Sequence, residues 1–254
     1  MNLKEYWEKS TPMSFIEEDF SYAEKREFRY SLQDYMHEVF HFDKYKNKRV
    51  LDLGCGSGID SVEFARNGAL VISVDFTDRA IMLTEKLFKE NRLSGKVVKA
   101  DILNLPFDND TFDLVYSFGV LHHIPDIERA LSEISRVLKP HGELSIMLYN
   151  KDSILYGYSI IYLRGVRGGL LSGSSQEELV SRFSERNEGC PYTKAYTKDE
   201  VKKLFSNYFD NISIAVKFNV IDLPGERKVK LGIGDKYELG WHLIVKCKKK
   251  CDKI

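Results

Sequence analysis

The sequence has no excess of either charge: 38 basic side chains balance 38 acidic ones over 254 residues. Nucleic-acid-binding surfaces are usually basic, so no nucleic-acid partner is expected. Lys246, Lys248, Lys249 and Lys250 do cluster, but they read as a solvated end and not as a docking patch. Long apolar runs are missing too. The greasiest stretch, 154–166, is interrupted by Gly157, Ser159 and Arg164. It falls well short of the ~20 apolar residues a membrane span needs, so no transmembrane segment is expected. The opening residues, Asn2-Leu3-Lys4-Glu5-Tyr6-Trp7, are mixed and polar, unlike a secretory leader. Cysteine is scarce. Cys55, Cys190, Cys247 and Cys251 have no framework spacing, which points to reduced thiols and a cytoplasmic setting. Cys247 and Cys251 lack a second Cys/His pair, so no metal site is expected.

What is present is alternation. Short apolar runs at 50–53, 70–74, 97–100, 112–116 and 144–148 read as strands. Between them, apolar residues recur at helical spacing. Ile59, Val62 and Ala65 form one such face, stopped by Asn67-Gly68; Ala80, Leu83, Thr84 and Leu87 form another. A third runs from Ile127 through Ala130, Leu131, Ile134 and Val137 to Leu138, closed by Pro140 and Gly142. Strands alternating with helices predict a mostly parallel sheet covered on both faces. Such a sheet binds ligands at the carboxyl ends of its strands. Asp52, Asp75 and Asp101 lie at or near the ends of the first three.

After Asn150 the pattern changes. Residues 151–196 are rich in Gly, Ser, Arg and Tyr, with helices expected near 154–164 and 176–187. Thr197-Lys198-Asp199-Glu200 is a capping box that opens a helix carrying Val201, Leu204, Phe205 and Tyr208. Strand-like segments at 212–218 and 241–247, joined by a loop containing Pro224, suggest an antiparallel pair at the sheet edge. The first forty residues read as helical, with Phe28, Leu32, Tyr35, Met36 and Val39 on one face.

The turn after the first strand is Gly54-Cys55-Gly56-Ser57-Gly58-Ile59. A dinucleotide fingerprint would place a third glycine where Ile59 stands, and a P-loop would need Lys-Ser/Thr. Both fail. Glycines lacking a β-carbon still let a ligand approach the main chain closely, while an acid at Asp52 repels phosphate and attracts an ammonium. A ligand with an amino group, a ribose and a base, but no phosphate, fits this turn.

The segments VLDLGCGSG, VISVDFT, VKADILNLPFDNDTFDLVYSFGVLHHI and ISRVLKPHGELSIM occur in that order within 48–150. On these the chain resembles the class I S-adenosylmethionine-dependent methyltransferases, in the group that includes the ubiquinone and menaquinone biosynthesis type. The resemblance implies an α/β, Rossmann-like, doubly wound and mostly parallel seven-stranded sheet, with a C-terminal antiparallel hairpin and helical lid insertions. It implies one domain: an N-terminal helical lid over 1–47, a cofactor-binding core over 48–150, a substrate lid and helix over 151–210, and a strand pair over 211–250.

It also implies S-adenosyl-L-methionine as cofactor. Gly54, Cys55, Gly56 and Gly58 would border its methionine and ribose, and Asp52 would hold its amino group. Asp75 would accept from the ribose hydroxyls, with Phe76 packed on the adenine. Asp101 and Ile102 would meet the adenine edge, and Ser117 and Phe118 would sit near the sulfonium. His122 and His123 are candidate bases. Tyr149, Arg164, Arg182, Tyr192 and Tyr196 are candidate contacts to a small-molecule acceptor. Tyr22, Arg26 and Arg29 are candidates for the cofactor carboxylate. An RNA or protein acceptor, or a nucleotide-binding protein without catalysis, stand as the alternatives.

Overall fold

The computed structural model describes residues 1–11, 20–185, 189–223, 229–233 and 235–250. Three helices come first: α1 (Leu3–Ser10), α2 (Tyr22–Leu32) and α3 (Met36–Phe40). The alternating part follows as β1 (Arg49–Leu53), α4 (Ile59–Arg66), β2 (Leu70–Asp75), α5 (Asp78–Glu90), β3 (Lys96–Lys99) and β4 (Phe112–Phe118). It closes with α6 (Ile127–Val137) and β5 (Leu138–Tyr149). Beyond it lie a π-helix (Leu155–Arg167), α7 (Gln176–Phe183), α8 (Lys198–Phe205) and β6 (Phe209–Lys217). A small ribbon of β7 (Val220–Ile221) and β8 (Val229–Lys230) precedes β9 (His242–Lys249).

The seven-stranded sheet runs β3-β2-β1-β4-β5-β9-β6. Pairing among β1 to β5 is parallel, and β9 runs antiparallel to both β5 and β6. Because side chains alternate across a strand, each central strand feeds two cores. Val50, Leu114 and Tyr116 face α2, α3, α4 and the π-helix, whereas Leu51, Leu53 and Val115 face α6 and α8. Strand order reverses between β1 and β4, so the loops leaving their carboxyl ends diverge and open a crevice. Among the described residues, no helix is long and apolar enough to cross a membrane.

Several elements differ from the sequence reading. Pro140 and Gly142 do not end the structure started by α6. They lie within β5, where pairing jumps from Phe112↔Leu138 to Leu114↔Glu143. The extra residues form an irregularity that accommodates a proline lacking an N–H. The expected helix near 154–164 is a π-helix. On α2, Phe28 and Leu32 are exposed, and the buried side chains are Tyr22, Arg29 and Tyr30. The reason is the neighbour: α2 packs on the carboxylates of α4, so its inward face is polar. Pro224 and Cys251 lie outside the described residues.

Candidate functional site

A cavity of about 240 Å³ with mostly apolar walls opens at the crevice. Loops after four strands build it: Gly54 and Gly56 after β1, Asp75 to Thr77 at β2, Ala100 to Leu103 after β3, and Gly119 to Pro125 after β4. Leu3, Trp7 and Thr11, in and just after α1, close its remaining side.

The glycine turn is fixed by its neighbours. Gly54 N–H and Cys55 N–H both donate to the Val74 carbonyl, at 2.7 and 3.0 Å. Gly54 has φ +75°, and a Cβ there would stand 2.3 Å from Val120 Cγ2. The turn thus lies directly against the β4 loop, and no larger residue fits. Gly58, at φ +80°, plays a different part. It caps α4, and a Cβ there would strike Thr84 of α5 at 2.8 Å.

Asp75 organises the middle of the site. Its carboxylate accepts from Gly56 N–H at 3.1 Å, and from Thr77 N–H and hydroxyl at 3.0 and 2.8 Å. Burial raises its pKa against the pull of those donors. Thr77 in turn caps α5. Phe76 is 38% exposed beside it, and Ile102 is nearly buried. Asp101 is exposed, and its Oδ1 accepts from Leu103 N–H at 2.9 Å, which shapes the turn after β3.

Other expected residues stand behind the wall. Asp52 is buried under the turn, where Ser61 donates to its carboxylate and Ser73 donates to Ser61. Burial, reinforced by the charges of Asp60 and Asp75, pushes its pKa up to about 7, despite the Ser61 hydrogen bond. Cys55 Sγ turns toward Thr84 Oγ1 at 3.4 Å. Ser117 donates to the Leu53 carbonyl at 2.9 Å and ties β4 to β1. Phe118 packs under the Arg29 guanidinium, 4.5 Å from the ring centroid. Gly119 and Val120 take the wall position expected of Ser117 and Phe118.

The paired histidines diverge. His122 stacks on Tyr149, with ring centroids 3.8 Å apart, and burial drives its pKa well below the usual histidine value. His123 lines the cavity and meets Trp7 edge to face at 4.7 Å. Its Nδ1 lies 3.0 Å from the Tyr192 carbonyl and 3.1 Å from Thr193 Oγ1, and its Nε2 lies 3.4 Å from Glu185 Oε1. Burial disfavours its charged form, but contacts with Cys190 and Glu185 outweigh that and push its pKa up to about 10. Neither ring nitrogen faces a free acceptor position, so a base role has no support from this geometry.

The expected acceptor residues do not line the cavity. Tyr149 donates to Glu185 Oε1 at 2.7 Å. Arg164 pairs with Asp222 at 3.0 Å and lies over Phe183. Arg182 covers the same ring at 4.9 Å. Tyr192 offers its carbonyl to His123, and buried Tyr196 forms a bridge to Asn150. Arg26 and Tyr22 bind Glu63, and Arg29 binds Asp60, so none of the three is directed at the cavity. Sequence reasoning missed Trp7, Val120, Glu8 and Glu185. Asn2 and Glu5 form a capping box at the start of α1, but nothing in the sequence says which loop the helix covers.

The doubly wound seven-stranded sheet thus brings acids at or near the ends of its first two strands, and one following its third, around a glycine turn. Residues 51–146 match a family model described as a methyltransferase domain. Among curated relatives, the ubiquinone biosynthesis O-methyltransferase of Coxiella burnetii is 32% identical over 140 residues, covering 55% of this chain and 60% of that protein. The demethylmenaquinone methyltransferase of Thermobifida fusca is 42% identical over 106 residues, 41% of this chain and 44% of that protein. The chain thus spans less than two thirds of either relative. A solved S-adenosylmethionine-dependent methyltransferase from Thermotoga maritima shares the fold at TM-score 0.59 and 17% identity, over 98% of this chain and 100% of that one.

Proposed function

We propose that the protein transfers the methyl group of S-adenosylmethionine to a small-molecule acceptor by in-line displacement. The observation that carries this reading is the cavity at the strand-order reversal, where Asp75, Asp101 and an open glycine turn converge without a phosphate-binding fingerprint. In this reading the remaining lone pair of Asp75 Oδ2 accepts from the ribose. Asp101 and the Ile102 backbone meet the adenine edge, and Phe76 packs on the base. Gly54 and Gly56 admit the methionine portion, and Asp52 supplies a negative charge beneath them. The sulfonium is already activated, so alignment of nucleophile, methyl carbon and sulfur carries much of the rate.

The cover formed by Leu3, Trp7 and Thr11 supports a small acceptor over an RNA or protein chain, because it stands across the cavity. The names of the similar relatives, which refer to quinone biosynthesis, make phenols and hydroquinones the first acceptors to try. Transfer of a tritiated methyl group to such phenols, and in parallel to RNA and protein pools, is the test. Calorimetry with S-adenosylhomocysteine and NAD accompanies it. Label in the phenols and tight binding of the sulfur ligand support the reading, whereas tight NAD binding without response to the sulfur ligand removes it.

A further inference from the structure

We propose that His122, His123 and Glu185 form a binding site for a divalent transition-metal ion, between the loop after β4 and the end of α7. One ligand atom from each of the three lies within 4.8 Å of the other two. Ligands sharing one tetrahedral ion at ~2.1 Å stand roughly 3.4 Å apart, so the side chains need only modest closure.

The hydrogen-bond pattern around His123 assigns its tautomer. A carbonyl oxygen can only accept, so Nδ1, 3.0 Å from the Tyr192 carbonyl, carries the hydrogen. That leaves Nε2 facing Glu185 Oε1 at 3.4 Å. A lone pair facing a carboxylate requires a cation between them, and a proton or a metal ion would serve. His122 separates the two. Its ring is fully buried, the Met147 backbone lies close without completing a hydrogen bond, and neither ring nitrogen has a partner among the described residues. A proton shared by His123 and Glu185 leaves His122 unsatisfied, at the usual cost of a buried polar group. A metal ion engages one atom of each of the three, including one ring nitrogen of His122.

The surroundings resemble the outer shell of a metal centre. The Tyr192 carbonyl orients one imidazole, and the Tyr149 hydroxyl donates to Glu185 at 2.7 Å. Two imidazoles and one carboxylate suit Zn²⁺, Fe²⁺ or Co²⁺ over the all-oxygen preference of Ca²⁺ and Mg²⁺. Three protein ligands leave a coordination position open. Cys190 Sγ lies 3.6 Å from Nδ1, on the far side of the ring from Nε2, and is not among the ligands. The site stands on this geometry alone and does not depend on methyl transfer.

The test is titration of the chelator-treated, purified protein with Co²⁺, read by visible absorption and by competition with a chelating dye. One Co²⁺ per chain is expected, with ligand-field bands of a four- or five-coordinate ion and no thiolate charge-transfer band. His122→Ala and Glu185→Gln should each weaken binding at least tenfold, and Cys190→Ser should leave it unchanged. Far-UV circular dichroism and the affinity for S-adenosylhomocysteine check that each variant is folded. Should His122→Ala fail that check, the near-isosteric Glu185→Gln decides. Absence of stoichiometric binding, or equal binding in the parent and Glu185→Gln, overturns the site. Neither outcome touches the methyltransferase reading, because cobalt is measured without an acceptor.

Discussion

Asp75 joins two functions in one carboxylate. It holds the glycine turn through Gly56 N–H and the start of α5 through Thr77, and in the proposed function it also accepts from the ribose. Asp75→Ala should therefore weaken S-adenosylhomocysteine binding tenfold or more in calorimetry, since a charged hydrogen bond is worth ~1.5–3 kcal/mol. Asp75→Asn keeps one acceptor oxygen and should lose less. Equal affinity in parent and Asp75→Ala would reduce Asp75 to a turn residue. Asp52 makes a pH prediction. Its folded pKa is raised to about 7 by burial, so the folded protein keeps a proton that the unfolded chain releases near the ordinary carboxylate value of about 3.9. Its contribution is most favourable below that value and declines as the pH rises to about 7. Asp52→Asn should consequently melt higher than the parent at pH 8, with the advantage gone near pH 4. In the proposed function the same variant should bind the cofactor more weakly, because it removes the negative charge beneath the glycine turn. A melting difference that grows toward acid pH would contradict this account.

At the scale of elements, α1 is the part least visible in the sequence. The first forty residues read as helical, but the placement of α1 depends on Glu8. That carboxylate accepts from Asp78 N–H at 2.7 Å and Arg79 N–H at 3.1 Å, at the amino end of α5. Carboxylates at that end of a helix are favoured by ~0.3–1 kcal/mol. Glu8→Ala should raise the dissociation constant for S-adenosylhomocysteine about two- to fivefold, with an unchanged melting temperature for the sheet. No change in affinity would show that α1 does not cover bound cofactor. The central strands were legible as short apolar runs, and α4, α5, α6 and α8 because each has one apolar face. The face of α2 was not, because Arg29 and Tyr30 pack on Asp60, with Arg29 at 2.8 Å. Apolar spacing carries no signal for a polar interface. The π-helix was read only as helical, since its extra residue per turn depends on packing. In the site, Gly54, Gly56, Asp75 and Asp101 were recognisable from strand ends. Glu185 was not, because only the fold brings it to His123, across 62 residues of chain.

For the whole molecule, the segment 151–196 proves to be shared core more than detachable cover. Leu155, Ile160, Leu179 and Val180 are buried in the same cluster as Val50, Val62 and Tyr116. Replacing the whole segment would expose that cluster, so the fold should fail along with any acceptor selection. Leu155→Ala should cost about 2–5 kcal/mol, read as a lower urea midpoint, and a change within error would show the segment to be peripheral after all. The sheet order has a further consequence, for biosynthesis. β9 is the last described strand in the chain, yet it lies between β5 and β6. While the ribosome is still making residues 242–249, β6 has no partner and the edge of β5 stays open. Chains begin to fold from the amino end during synthesis, and an open strand edge invites pairing with other chains. The nascent protein must therefore carry two unpaired edges until a single late strand closes them together.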